Sequence, residues 1–344
     1  MEQVLGAGAP LRRRSRLAEW GLNALAIGFS LALIYGGAEA YVSYAVDDGM
    51  QFDLEMWRYS REIKRQSANP AIGHEHTPGS RAHLMGVDVA ISSQGLRDRD
   101  FPPAPPPGRT RIMMLGDSLT FGWGVPGDRT WSKRLEQMLR QAGYDAEVVN
   151  TGVGNYNTEM EVAWFLERGV QLKPHYVVLN YFINDAEPTP RYESSVLARH
   201  SRAYVYFASR IDAAVRQAGV GERTDWQSYY AGLYNEENLR RVGAAFARLA
   251  EYCRANDIPL FVANYPELRN PRAYPFLQVN RAVEKLAGDN NLRYVDMLPA
   301  VREMDPPSLW VTRPDPHPSV AAHEAFARAL YRIFEKEVPK RRPS

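Results

Sequence analysis

Five strand-length runs fix what this chain can fold into: Ile112–Leu115, Glu147–Asn150, Tyr176–Tyr181, Leu260–Asn264 and Tyr294–Met297. Segments with helical spacing separate them. Trp131, Leu135, Met138 and Leu139 repeat at that spacing and Gly143 ends the helix. Residues 157–170 and 275–288 read as helices. Leu239, Val242, Phe246, Leu249 and Cys253 form one apolar stripe, and Phe326, Leu330, Ile333 and Phe334 mark the last helix. Strands alternating with helices predict a parallel sheet covered on both faces. Residues 186–235 interrupt the alternation with Tyr204, Tyr206, Trp226, Tyr229, Tyr230 and Tyr234. This helical insertion follows a strand's carboxyl end. It reads either as a lid or substrate wall, or as a packing subdomain.

The amino-terminal segment obeys other rules. Residues 1–19 form a basic tail with Arg12, Arg13, Arg14 and Arg16. Trp20–Ala38 follows, 19 residues without a charge. That length suits a membrane-crossing helix, read here as residues 20–45. The arginines predict a cytoplasmic tail and an outward-facing remainder. Ala38-Glu39-Ala40 also fits a signal-peptidase site, but the apolar stretch is long for a signal peptide and favours an uncleaved anchor.

Residues 46–108 read as an extension. A short helix is expected over 50–66 with Phe52, Met56 and Trp57 as its apolar contacts. Residues 67–100 are turn-rich, with short strands such as Val87–Ile91. His74, His76 and His83 read as loop histidines, since no carboxylate cluster accompanies the His-x-His pair. Pro102–Pro107 is a stiff linker ahead of the core fold. A net charge of +2 gives no reason to expect nucleic acid. Cys253 is the only cysteine, so neither an intrachain disulfide nor a cysteine-based zinc site is available.

Chemistry in an open α/β sheet gathers at the carboxyl ends of the strands. Gly-Asp-Ser-Leu-Thr, residues 116–120, follows the first strand and makes Ser118 a candidate nucleophile. Asn-Thr-Gly-Val-Gly-Asn-Tyr-Asn-Thr, residues 150–158, follows the second. Phe-Ile-Asn-Asp, residues 182–185, follows the third. Asp-Pro-His-Pro, residues 315–318, precedes the last helix. Acyl transfer needs such a set: a nucleophile, a base, a group that orients the base, and oxyanion donors.

These four blocks, in this order, resemble the SGNH family of GDSL-type esterases and lipases, of a membrane-anchored bacterial type. The resemblance covers residues 109–338. It implies a flavodoxin-like three-layer α/β/α sandwich and a hydrolase domain over 109–340. It also implies hydrolysis or transfer of acyl groups, often acetyl groups on carbohydrate, without a metal or other cofactor. Carried over position by position, Ser118 resembles the nucleophile, His317 the general base and Asp315 its orienting carboxylate. The Ser118 N–H, a backbone N–H of Gly154 or Asn155, and the Asn184 side chain would form the oxyanion hole. Three departures stand out. Asn155 falls where the family has Gly, Phe182 replaces the Gly of Gly-x-Asn-Asp and suggests an apolar wall, and Asp315 precedes His317 by two residues where three are usual.

Other polar residues near these blocks have simpler roles. His323 lies on the apolar stripe of the last helix and reads as a packing residue. Asp117 and Asp185 read as loop-holding groups, and His175 as a surface residue. The implied function is a serine esterase on ester bonds, O-acetyl or short acyl, of cell-envelope carbohydrate. The partners are an acylated small molecule or polysaccharide and, through the amino-terminal helix, a membrane. An O-acyltransferase would carry the same triad. An inactive envelope binding protein would have no need of it.

Overall fold

The computed structural model describes residues 16–190, 196–217, 225–313 and 315–340. Arg12, Arg13 and Arg14, and parts of the 186–235 insertion, lie outside them. Helix α1, Arg16–Tyr41, runs into a π-helical turn, Val42–Val46. Among the described residues one helical stretch, Ala18–Val46, is long and apolar enough to cross a membrane, and a signal sequence would pass the same test. Then come α2 (Phe52–Glu62), β1 (Lys64–Gln66), β2 (His74–His76), β3 (Arg81–Leu84) and β4 (Val87–Ala90).

The core alternates: β5 (Thr110–Leu115), the one-turn α3 (Ser118–Phe121), α4 (Trp131–Gln141), β6 (Ala146–Asn150), α5 (Thr158–Glu167) and β7 (Tyr176–Tyr181). The insertion supplies α6 (Val196–His200), α7 (Arg202–Gln217) and α8 (Trp226–Gly232). It is followed by α9 (Glu236–Ala255), β8 (Leu260–Asn264), α10 (Leu277–Asp289), β9 (Arg293–Asp296), β10 (Trp310–Thr312), β11 (Asp315–Pro318) and α11 (Val320–Glu337).

Five parallel strands form the central sheet in the order β6-β5-β7-β8-β9. With the core strands counted from β5, this is the 2-1-3-4-5 order of flavodoxin-like folds. Side chains alternate across the sheet. Met113, Leu115, Val177 and Leu179 pack under α5, α9 and α10 through Phe165, Phe246 and Val283. Ile112, Met114, Val148 and Val178 pack under α4 and α11 through Leu135, Phe326 and Phe334. Two apolar layers, each worth about 1.5–3 kcal/mol per large buried side chain, make the expected three-layer α/β/α sandwich.

Three expectations need correction. The helix expected over 50–66, α2, stops at Glu62, and Lys64–Gln66 turns into a strand paired antiparallel with His74–His76. Pairing outweighs local helix propensity there. His74 and His76 are therefore buried strand residues rather than loop residues, and His83 lies exposed on the β3–β4 hairpin beside Asp88. The extension also does not stand apart from the core. Ile72, Leu96 and Phe101 join the same apolar cluster as the sheet, and the buried Arg111 donates to Pro102 O at 2.9 Å.

Candidate active site

The turn after β5 is built for a close fit. A Cβ on Gly116 would lie 2.0 Å from Thr120 Oγ1 and 3.3 Å from Asn180 Cβ, so no larger residue fits. Asp117 caps α3 by accepting the Leu119 N–H at 2.8 Å. Its burial pushes the carboxyl up to about 6, against the pull of that N–H and of His317. Ser118 opens α3, and Gly122 (φ 86°) closes it. The carbonyls beyond are collected by one buried guanidinium. Arg97 donates to Phe121 O (2.7 Å), Gly122 O (2.5 Å) and Val125 O (2.6 Å). Burial draws its pKa down to about 10.

Against this turn stands the β11 segment. His317 Nε2 lies 2.9 Å from Ser118 Oγ, and His317 Nδ1 lies 2.5 Å from Asp315 Oδ1. Asp315 Oδ1 also accepts the His317 backbone N–H at 3.1 Å. The other carboxylate oxygen, Oδ2, takes the indole N–H of Trp123 at 3.1 Å. With both oxygens bonded, the carboxylate is fixed against the ring. His317 sits on a short strand paired antiparallel with β10, not in a free loop, and Pro318 pairs with Trp310. Phe52 of the extension closes one side of the imidazole, its ring centroid 5.8 Å away.

The turn after β6 is locked to the turn that carries Ser118. A Cβ on Gly152 would lie 2.1 Å from the Phe121 backbone nitrogen. Asn150 Nδ2 donates to Thr120 O at 2.8 Å, and Val153 N donates to Gly116 O at 3.1 Å. Beyond it, the extension grips the peptide of Gly154. The Tyr59 hydroxyl accepts the Gly154 N–H at 2.9 Å. Lys64 Nζ donates to Gly154 O at 2.6 Å and to Asn155 Oδ1 at 2.9 Å, and His74 Nε2 meets the same carbonyl at 2.9 Å. Burial draws Lys64 down to about 7 and holds His74 neutral down to about 3. Asn155 adopts the left-handed conformation, φ 65°, which Asn tolerates better than most residues.

Ser118, Asn155, Asn184, Asp315 and His317 line one cavity of about 280 Å³. Phe182 forms part of its wall, as do Phe52 and Met56 of α2 and Tyr230 of α8. Glu267 and Arg269, ion-paired at 2.6 Å, complete it. The insertion thus does two jobs: α8 contributes to the cavity, while α7 packs on α2 and on the end of α1. Behind the nucleophile turn, Asp185 accepts from Thr158 Oγ1 at 3.2 Å. Asp185 and Glu161 are pushed well above the usual carboxylate range by burial and by neighbouring carboxylates.

Gly154 is drawn away from the cavity because its N–H is already bonded to Tyr59. His323 is not brought to Ser118. It is buried in α11, stacks on Trp131 at 4.7 Å and accepts the Trp131 backbone N–H on Nδ1 at 3.0 Å. Tyr59, Lys64, Arg97 and Trp123 were not singled out from the sequence. The one available signal was Gly-Trp-Gly at 122–124, a large aromatic trapped between turn residues.

Residues 114–325 match the profile of the GDSL-like Lipase/Acylhydrolase family. No curated protein matches the chain. Among solved structures, TesA is 15% identical with a TM-score of 0.45, over 66% of this chain and 99% of that one. A catalytic mutant of Axe2, an acetylxylan esterase from Geobacillus stearothermophilus, is 19% identical with a TM-score of 0.43, over 68% and 97%. The psychrotrophic esterase EstA from Pseudoalteromonas sp. is 14% identical with a TM-score of 0.42, over 66% and 98%.

Proposed function

Since this chain belongs to the GDSL-like lipase/acylhydrolase family and is an enzyme that acts on ester bonds, we propose that it is a serine esterase for short acyl esters. The observation that carries this reading is the 2.9 Å approach of His317 Nε2 to Ser118 Oγ, with Asp315 on the other ring nitrogen. His317 takes the Ser118 proton as Oγ attacks the ester carbonyl. Asp315 holds the ring and stabilises the imidazolium. The tetrahedral oxyanion is received by the N–H groups of Ser118 and Asn155 and by the Asn184 amide. His317 then returns its proton to the departing alcohol. Water, deprotonated by His317, releases the acyl group from Ser118 as a carboxylic acid.

Of the two turn candidates, Asn155 is the better donor, because the Gly154 N–H is already held by Tyr59. A cavity of about 280 Å³ suits an acetyl or similarly short acyl group more than a long chain. The acidic and basic pair Glu267–Arg269 and the aromatic Tyr230 at its wall suit a hydroxylated alcohol part such as a sugar. We further assign residues 109–340 as the hydrolase domain and 46–108 as an extension that completes the site. On this reading α1 crosses the membrane, the Arg12–Arg16 tail stays cytoplasmic and the hydrolase domain faces outward. Substrates are then esters of the cell envelope.

Incubation with p-nitrophenyl acetate and with O-acetylated polysaccharides, with and without a sugar acceptor, tests the assignment. Free acetate, independent of acceptor, supports hydrolysis. Acetylated acceptor in place of acetate would make the enzyme a transferase. Neither product from any ester would remove the catalytic reading.

A further inference from the structure

Helix α7 carries an apolar face that no described residue covers. Tyr204, Phe207 and Ile211 are spaced by three and four residues and so share one side of the helix. With Val196 and Leu197 of α6 they are between 40% and 73% exposed. The opposite side is used: Val205 and Tyr206 pack against the cluster of Val42, Leu54 and Ala203, and α7 lies along α2. A stable helix with one face packed and a second apolar face in water is unusual, and such faces mark contact surfaces.

The position of α7 says what lies against that face. Its first turn is fastened to the end of α1. Ser201 Oγ donates to Glu39 Oε1, Ala203 N donates to the same oxygen at 3.4 Å, and Arg202 Nη1 donates to Ser43 Oγ at 3.3 Å. The side chains of Leu22, Leu25, Ile27, Phe29, Leu31, Leu33 and Ile34 on α1 are all exposed, and the chain is first buried at Val42. So α7 starts where the apolar helix ends, at the level where a crossing helix emerges from the bilayer. Its charges fit that level. Arg199 and Arg210 are exposed, and a cavity of about 380 Å³ bordering α6 is lined in part by Arg61 and Arg199. Phospholipid headgroups and basic side chains attract one another.

We propose that α7 lies in the membrane–water interface, with Tyr204, Phe207 and Ile211 set among the lipid headgroups and upper acyl chains. This rests on the reading of α1 as a membrane anchor. The consequence is orientational. Arg210 contacts Asp53 at 3.6 Å and Gln51 at 3.1 Å, next to Phe52 at the imidazole of His317. Seating α7 on the bilayer therefore holds the catalytic cavity close to the membrane surface, within reach of esters borne by membrane-attached molecules.

The test uses the full chain in phosphatidylcholine–phosphatidylglycerol vesicles. Cys253 is buried, so introduced cysteines can be labelled selectively with an environment-sensitive fluorophore. Labels go on Ile211→Cys in α7, Ile27→Cys in α1 and Glu237→Cys in α9. The expected result is blue-shifted emission at 211 and 27, quenched by doxyl-labelled lipid at least threefold more strongly than at 237. Quenching at 27 with a water-like signal at 211 overturns the proposal and leaves the anchor standing. A water-like signal at 27 removes the anchor reading, and the proposal with it. A blue shift at 211 that lipid quenchers do not touch, and that fades on dilution, means a second copy covers the face and also overturns the proposal.

Discussion

The Tyr59 hydroxyl accepts the Gly154 N–H at 2.9 Å, a contact between residues 95 positions apart that, on the proposed mechanism, leaves the Asn155 N–H for the substrate. Tyr59→Phe strands that N–H in a buried site, at a cost of about 1–3 kcal/mol. The relaxed turn should present Asn155 less well. The expected outcome is a fall in kcat of roughly 10- to 100-fold with KM little changed, below the ~10²–10³ of losing an oxyanion donor outright. An unchanged kcat in steady-state assays with p-nitrophenyl acetate would detach Tyr59 from the chemistry.

Ser118→Ala should abolish turnover and labelling by a fluorophosphonate probe while leaving the far-ultraviolet circular dichroism intact. The wild type should label at one site, found at Ser118 by peptide mass spectrometry. Equal labelling of both proteins would place the nucleophile elsewhere.

His317→Ala and His323→Ala should fail differently. The first removes the group 2.9 Å from Ser118 Oγ, and turnover should fall by a factor on the order of 10⁴. The second removes the acceptor of the Trp131 N–H and a stacked ring, so thermal stability should drop by about 1–3 kcal/mol. Its kcat, measured below its midpoint, should stay within about tenfold of wild type. Loss of turnover with unchanged stability in the His323 variant would reverse the two roles.

Trp123→Phe tests the carboxylate. It takes the indole donor from Asp315 Oδ2 and keeps most of the apolar packing. Asp315 is then free to turn, and kcat/KM should fall roughly tenfold, the worth of one charge-assisted hydrogen bond. The variant should still label with fluorophosphonate, only more slowly.

His323 also sets a pH signature. Folded, it is held neutral by burial down to about 3; unfolded, a histidine protonates near 6.5. The unfolded chain therefore binds the extra proton between these values, so stability falls as pH drops through that window. In denaturant titrations from pH 7 to 4, wild type should lose more stability on acidification than His323→Gln, so the gap between them should narrow. The slope of the difference has a ceiling of about 1.4 kcal/mol per pH unit. A pH-independent difference would mean that His323 titrates normally in the folded state.

Much of the fold could be read from local pattern. Strands β7 and β8 begin and end where their runs do, because both faces are buried and the one polar residue inside β7, Asn180, is hydrogen-bonded to Leu115 O. The blocks holding Ser118 and Asn184 could be picked out because each follows a strand end, and parallel strands bring those ends to one edge, whereas Asp315 and His317 lie in β11, outside that sheet, and stood out only by the Asp-Pro-His-Pro motif. Tyr59, Lys64 and Arg97 were not legible. Their partners are backbone atoms of distant turns, and a lysine or arginine that satisfies buried carbonyls looks, in a sequence, like any solvated one. His74 and His76 were misread as loop histidines because a three-residue strand has too few positions to show its period. Pro316 and Pro318 likewise hid β11, since proline is tolerated only at such short edges.

The contact of Gly152 with the Phe121 backbone ties the nucleophile turn to the oxyanion turn, with no room for a single added methyl group. The cavity walls are made otherwise: Phe52 and Met56, Phe182, and Tyr230 come from three separate stretches of chain. Heritable variation therefore meets two different resistances. A change in the tied turns disturbs both together, whereas a change at Phe182 or Tyr230 falls on the wall alone. A lineage built on this frame can drift widely in substrate while its reaction chemistry stays fixed.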